Sequence, residues 1–227
     1  MQPVKPMRAP ASHSLILAGF LFPAVTHGVV LMQLETFDSS TGWGVGNPHP
    51  SPPSIQADVG PDGNGDFALR MSASAGQGAG SRLAIINTSD WAGDYLTAGI
   101  DTLTMDLRNQ SFLSSDMRVA VNGPGGWFVT DSQSLSAFST WTPVSFDLSP
   151  GALISAGGSD ASSTLSDVGE IRILHSSTPS FRGGTGQRTV LVDNIQAVPE
   201  PKTLMLTTFA ALALLRRKRT VARGGRF

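Results

Sequence analysis

Apolar and polar residues alternate along several short segments in the middle of the chain, which is the pattern of β-strands with one buried face. The apolar positions of these segments are, in chain order, Phe67, Leu69 and Met71; Leu103, Met105 and Leu107; Met117, Val119 and Val121; Val144, Phe146 and Leu148; and Ile171 and Ile173. Two further runs, residues 83–87 and 190–195, are rich in β-forming residues. The pattern predicts an all-β fold in which two antiparallel sheets pack as a β-sandwich or jelly roll.

Glycine-rich clusters between these segments predict the turns of such a fold. They cover residues 60–65, 76–80, 122–126, 157–163 and 182–186. No segment of this region shows a long 3.6-residue period, so we expect almost no helix in it.

The sequence of residues 1–32 predicts a signal peptide, which we expect to form a helix ahead of the sandwich. Two basic residues precede a short apolar stretch, as in secretory signals. Small residues at Ala24 and Thr26, or at Thr26 and Gly28, fit two alternative cleavage sites. The other interpretation is an uncleaved membrane anchor, but a proline, a threonine and a histidine interrupt the apolar stretch and leave little unbroken length to span a bilayer.

The other end of the chain, residues 199–227, has three parts in a fixed order. A Pro-Glu-Pro tripeptide comes first, residues 203–215 form an apolar segment predicted to be a transmembrane helix, and a basic cluster follows. The motif residues are Pro199, Glu200, Pro201, Arg216, Arg217, Lys218 and Arg219.

This order resembles the PEP-CTERM sorting signal of exported bacterial proteins. The resemblance implies that an exosortase, a membrane protease-transpeptidase, recognises and processes the tail. It also implies an inner-membrane intermediate, held by the apolar helix with its basic end in the cytoplasm, and then release to the cell surface or the outside. Thirteen apolar residues make only about 20 Å of helix against a hydrocarbon core of about 30 Å. The alternative is an ordinary C-terminal anchor that is not processed.

The region between the two ends is acidic. From Gln33 to Val198 it holds seven arginines, no lysine and sixteen acidic residues, a net charge of −9. This balance argues against a nucleic-acid partner, because phosphate neutralisation needs clustered basic residues. It favours a neutral or cationic glycan over an acidic polymer, unless Arg70, Arg118 and Arg172, which share the outward phase of their strands, come together in a patch.

Several short pieces of this region resemble the jelly-roll carbohydrate-binding modules. They are Glu35-Thr36-Phe37, Gly42-Trp43, residues 65–69, Trp141, and Val192-Asp193-Asn194-Ile195. The resemblance implies a carbohydrate-binding sandwich over residues 33–198. It also implies a structural Ca²⁺ between the first and last strands, at the places of Glu35 and Asp193, with a solvated edge as the alternative.

Two aromatic pairs are candidates for a sugar-binding platform. Trp91 and Tyr95 flank a predicted turn, and Trp127 and Phe128 follow a pair of glycines. Exposed aromatic faces with polar neighbours are where sugar rings stack. The alternative is burial in the core, which is the commoner use of tryptophan.

The sequence offers few candidate catalytic residues, and we predict that the protein is not an enzyme. The chain has no cysteine, and His175 is its one histidine on a predicted core strand, where a structural role is the simpler interpretation. Oxygen-bearing side chains alternate over residues 62–66, but the spacing does not continue as an EF-hand loop, so a hairpin turn is preferred.

The sequence therefore predicts an exported protein of the cell surface or of an extracellular biofilm matrix, acting by binding or adhesion, with exopolysaccharide as the candidate ligand. A structural matrix component without a specific ligand is the alternative from another class, and a secreted glycan hydrolase ranks last. Beyond the structural Ca²⁺, no cofactor is expected.

Overall fold

The computed structural model describes residues 28–199, apart from residues 40, 47, 48, 75, 77 and 79. The described residues form twelve strands and two short helices. The strands are β1 (Leu34–Glu35), β2 (Ser54–Gln56), β3 (Ala68–Ala73), β4 (Ala84–Asn87), β5 (Thr102–Asn109), β6 (Ser115–Gly123), β7 (Gly126–Val129), β8 (Gln133–Leu135), β9 (Thr142–Asp147), β10 (Ile154–Ser155), β11 (Glu170–His175) and β12 (Arg188–Val198). The helices are α1 (Tyr95–Ala98) and α2 (Ala161–Leu165).

One sheet, called sheet A, has the strand order β2-β3-β12-β5-β9, and every pair in it is antiparallel. The long strand β12 pairs with β5 along one edge, while β3 and then β1 share its other edge. The register between β12 and β5 shifts between Asp193 and Gln196, where Asn194 takes a positive φ of 52°. This bulge changes which residues of β12 face inward along its second half.

The second sheet, called sheet B, has the order β10-β7-β6-β11-β4, with β8 joined to the first part of β6. Its pairs are also antiparallel. Both helices are single turns in the connections between strands, and each begins at an aspartate that caps it, Asp94 for α1 and Asp160 for α2.

The two sheets pack face to face around one core. Sheet A contributes Leu103 and Phe146 and sheet B contributes Val119 and Ile173, all buried. These positions alternate with outward-facing neighbours, as the sequence pattern requires. The prediction of an all-β fold with two antiparallel sheets is therefore confirmed.

The packed domain starts earlier than residue 33. Val29 is buried in the core, and its amide donates a 2.8 Å hydrogen bond to the carbonyl of Ala92. The amide of Met32 likewise donates to Ala197 in β12, at 2.8 Å. Cleavage after Thr26 or after Gly28 leaves these contacts intact, whereas a boundary at residue 32 removes a core side chain.

The predicted signal helix before residue 28 and the sorting tail after Pro199 lie outside the described residues. Pro199 itself is half-buried at the end of β12. Within residues 28–199, no helix is long and apolar enough to cross a membrane.

Candidate functional site

The face of sheet B that is turned away from the core carries an aromatic and cationic cluster. Strand β7 alternates, so Phe128 enters the core while Trp127 and Val129 lie on the outer face. Glycine is required at position 126, which has a φ of 97° and whose missing Cβ would lie 2.7 Å from the Cα of Gly158. This close approach sets the start of β7 and with it the direction of Trp127.

Trp127 stacks on Phe181, with ring centroids 4.5 Å apart and an interplanar angle of 12°. The guanidinium carbon of Arg172 in β11 lies 4.3 Å from the centroid of the Trp127 ring. Arg172 also donates from Nε to Glu170 at 2.6 Å and from Nη1 to the carbonyl of Phe181 at 2.9 Å. Because these contacts come from several directions, the guanidinium is held in one orientation.

An open groove of about 390 Å³ runs beside Arg172 on this outer face. Ala84 and Ile86 of β4 are the apolar part of its lining that comes from the sheet, called the apolar floor below, and Gly46 and His49 line it as well. The lining also includes three arginines, Arg82, Arg172 and Arg182. The groove therefore combines a flat apolar strip from the sheet with planar hydrogen-bond donors.

The positive patch envisaged from the sequence does not form from its three predicted members. Arg70 lies in β3 of sheet A, so it is not on the same sheet as the other two. Arg118 in β6 is buried, and it donates from Nε to Ser176 and from Nη1 to Thr130, both backbone carbonyls, at 3.0 and 2.7 Å. Of the predicted three, Arg172 is the one that reaches the groove.

The sequence interpretation missed Phe181 of the aromatic cluster and the groove residues Arg82 and Arg182. Phe181 precedes the glycine-rich cluster of residues 182–186 and Arg182 is its first residue, and this cluster was interpreted only as a turn. An aromatic residue followed by arginine within a loop of small residues is the signal that could have found them.

Three of the four predicted platform residues are core side chains. Trp91 and Tyr95 are fully buried and Phe128 is 5% exposed. The hydroxyl of Tyr95 donates to the carbonyl of Trp91 at 2.8 Å, and burial raises the pKa of Tyr95 above its usual range. These three correspond to the core-burial alternative, because none offers a face to a sugar ring, whereas Trp127 is half-buried on the outer face.

Glu35 and Asp193, the two predicted calcium ligands, point to opposite faces of sheet A. Glu35 pairs with the core residue Ile195, and its Oε2 accepts hydrogen bonds from two core indoles. Asp193 lies before the bulge and pairs with Asp106 of β5. The residues on either side of Asp106 in that strand belong to the core, so both aspartates lie on the outer face of sheet A. The structure does not bring the two carboxylates to one point.

Asp193 nevertheless has the chemistry of a cation ligand. It is fully buried, and neither carboxylate oxygen has a hydrogen-bond partner among the described residues. Burial raises its pKa to about 7, the backbone amide of Asn194 opposes part of that rise, and the nearby charges of Asp66, Asp106 and Asp38 add to it. A buried carboxylate without a partner is costly unless a proton or a cation neutralises it, so this residue fits a hard cation such as Ca²⁺. Within the described part of the chain, no three Asp, Glu or His side chains form a metal-ligand cluster, so a cation at Asp193 would need backbone carbonyls or water as its further ligands.

The remaining candidates have structural partners. His175 is buried, and its Nδ1 accepts a 3.0 Å hydrogen bond from the amide of Asp116. The loop at residues 62–66 connects β2 to β3 as a hairpin, in which Asp66 accepts from the amide of Asp62 at 2.8 Å. The preference for a turn over a calcium loop agrees with this geometry.

The fold is similar to several solved structures, although the sequence matches no protein-family model and no curated protein. An exo-β-agarase is 16% identical over 75% of this chain and 25% of that chain, with a TM-score of 0.53. A family 11 carbohydrate-binding module from Clostridium thermocellum, in complex with a β-1,3-1,4-mixed-linked tetrasaccharide, is 14% identical over 75% of this chain and 97% of that chain, with a TM-score of 0.46. The N-terminal cellulose-binding domain of Cellulomonas fimi β-1,4-glucanase C is 15% identical over 76% and 98%, with a TM-score of 0.42.

At these identities the likeness concerns the arrangement of the strands and not the ligand. The chain spans about a quarter of the agarase, so the activity of that whole enzyme is not attributed to it.

Proposed function

We propose that this chain is an exported, non-catalytic protein that binds polysaccharide through the groove on the outer face of sheet B. The observation that carries the proposal is the pairing of an apolar floor, Ala84 and Ile86, with the fixed guanidinium of Arg172 in an open groove. Sugars present apolar C–H faces and polar edges, so a flat apolar strip bordered by donors is complementary to them.

The stack of Trp127 and Phe181 acts as a support for Arg172 in this proposal. Since the guanidinium is already ordered by the stack and by Glu170, little side-chain freedom is lost when a ligand binds. The floor residues lie on β4, a strand held by β11, so the surface beneath the sugar is rigid.

Blocking the groove without changing its charge tests the proposal. A Cβ at Gly46 would meet nothing within 4 Å, so Gly46→Trp can place a large ring at the groove without disturbing the fold. Gly151 is equally unobstructed but lies outside the groove lining, which makes Gly151→Trp a matched control. We expect the full chain and Gly151→Trp to bind a polysaccharide on a glycan array, and Gly46→Trp to lose that binding.

The same array separates the alternatives. Binding to no glycan by the full chain favours the structural matrix component. Release of new reducing ends from a bound glycan would identify a hydrolase, and our proposal would then be wrong.

Export through the predicted signal peptide and exosortase processing of the tail belong to the same proposal. The tripartite order of residues 199–227 supports it. Release from the inner membrane would place the sandwich at the cell surface or outside, where exopolysaccharide is available.

A structural Ca²⁺ at the last strand is part of the proposal as well. Asp193 would hold the ion through oxygens that otherwise have no partner among the described residues, while Glu35 orders the neighbouring strand from the core side. The bound ion would be the positively charged partner that neutralises this buried carboxylate.

A further inference from the structure

We infer that the groove on sheet B recognises an acidic polysaccharide, whose sugar units carry carboxylate or sulfate groups. The inference rests on the proposed function and specifies its ligand. It replaces the neutral or cationic glycan expected from the net charge of the region.

The distribution of arginine carries the inference. The region from Gln33 to Val198 holds only seven arginines against sixteen acidic residues, yet three of the seven line this one groove. Among the described residues, no aspartate or glutamate lines it. An acidic domain has therefore gathered three of its seven guanidinium groups on one surface.

The three arginines are joined through a single loop. Arg172 donates to the carbonyl of Phe181, and Arg82 donates from Nη1 to the carbonyl of Gly183 at 2.6 Å. Arg182 lies on the same loop, with its guanidinium carbon 5.4 Å from the centroid of the Phe181 ring. These tethers hold three positive groups around one opening instead of leaving them to spread over the surface.

Much of this positive charge is not neutralised by the protein. The ion pair between Arg172 and Glu170 is the only one among the residues that the structure describes, so Arg82 and Arg182 have no acidic partner there. Arg172 uses Nε and Nη1 for its contacts, and its Nη2 donates to no described residue. Planar guanidinium groups with unused N–H donors match carboxylate and sulfate oxygens.

Short-range contacts with the three arginines determine whether an acidic glycan binds, and they outweigh the negative net charge of the domain. The screening length at physiological salt is about 8 Å, so distant acids contribute little inside the groove. They still oppose a long polyanion at a distance, so contacts of a sugar ring with Ala84 and Ile86 must add to those of the arginines. We therefore expect an acidic glycan to bind more tightly than nucleic acid.

The test measures binding of the full chain by calorimetry to four polymers: alginate, which carries carboxylates; carrageenan, which carries sulfates; neutral agarose; and single-stranded DNA. The variant is Arg82→Gln/Arg182→Gln, and the control is Arg70→Gln/Arg108→Gln, which removes the same charge from sheet A. We expect alginate or carrageenan to bind more tightly than agarose or DNA. The groove variant should bind at least about tenfold more weakly and the control should bind unchanged.

The outcomes are distinguishable. Binding to alginate alone identifies the carboxylate as the recognised group, and binding to carrageenan alone identifies the sulfate. Binding to agarose alone, blocked by Gly46→Trp but not by the arginine variant, overturns this inference and leaves the proposed function standing. Binding to no glycan overturns both. DNA binding as tight as that of the acidic glycans shows unselective attraction of polyanions and overturns the inference.

Discussion

The indole Nε1 of Trp91 donates a 2.8 Å hydrogen bond to Oε2 of Glu35, and the Nε1 of Trp43 donates to the same oxygen at 3.2 Å. Both rings belong to the core, with centroids 6.3 Å apart. One carboxylate on the short strand β1 therefore satisfies two donors that the core would otherwise leave unpaired. The first strand is held to the sandwich by this contact as well as by its backbone pairing with β12.

Replacing Glu35 with alanine should destabilise the domain strongly. The variant leaves two indole N–H groups in the core without an acceptor, which costs about 2–4 kcal/mol in the free energy of unfolding. Glu35→Gln keeps an acceptor oxygen and should cost about 1 kcal/mol. Urea denaturation followed by tryptophan fluorescence measures both.

Glu170→Gln is the control for the loss of one carboxylate, because its ion pair with Arg172 is partly exposed and should contribute less than about 1 kcal/mol. If Glu35→Ala were as stable as this control, the two indole contacts would not matter for stability.

Much of the fold could be predicted from alternation alone. The predicted runs coincide with β3, β4, β5, β6, β9, β11 and β12. They were recognisable because each has enough residues to show the two-residue period, with Leu103, Met105 and Leu107 as a clear case. The hairpin turn at residues 62–66 was also predictable, since its Asp-Gly and Asn-Gly pairs favour positive φ.

The strands that were missed are short. β1 and β10 have two residues each and β2 and β8 have three, so no period can appear in them. β7 was hidden because its glycine at position 126 marks a turn in sequence while the chain is already pairing with β6.

The site was harder to predict because it depends on which strands become neighbours. Arg172 and Arg118 share an outward phase, but loops cover Arg118 and leave Arg172 at the groove. The bulge near Asn194 shows the same limit, because it places Asp193 and Ile195 on opposite faces although they are two residues apart.

Calcium should stabilise the chain through Asp193. If Ca²⁺ is present at a hundredfold excess over its dissociation constant, the native state gains about 2.7 kcal/mol. The melting temperature should then rise by about 5–10 °C for a domain of this size. Differential scanning calorimetry of the full chain, with Ca²⁺ and with EDTA, measures the shift.

Two variants assign this effect to a residue. Asp193→Asn should remove the calcium response and, in EDTA, should melt no lower than the parent, because it replaces a buried carboxylate that lacks a partner. Glu35→Gln should keep the calcium response if Glu35 acts only on the indoles. An unchanged melting curve of the parent in Ca²⁺ and EDTA would refute the metal site.

His175 should make the domain less stable in mild acid. Burial lowers its pKa below the ordinary value of 6.5, the charge of Arg188 lowers it further, and Asp116 partly opposes both. The folded state therefore favours the neutral ring. Its contribution to stability is complete above pH 6.5 and is lost as the pH falls through the lower pKa of the folded state.

The measurement is the melting temperature of the parent and of His175→Asn between pH 7.5 and 5.5. The parent should lose more than the variant over this range, so the difference between them narrows as the pH falls. His49→Asn, a change at a less buried histidine, should follow the parent. A constant difference across the range would show that His175 does not titrate there.

The C-terminal tail should be removed during export. Mass spectrometry of the surface-exposed protein, expressed in a host that has an exosortase, should find a C-terminus near Pro201, because prolines ahead of the apolar segment favour an extended backbone that a processing enzyme can reach. Replacing Pro199, Glu200 and Pro201 with alanine should leave the uncut chain in the inner membrane. Removing the positive charge at Arg216, Arg217, Lys218 and Arg219 should instead disturb the orientation of the apolar segment. A mature surface protein that still ends at Phe227 would show that the tail is an ordinary anchor and not a sorting signal.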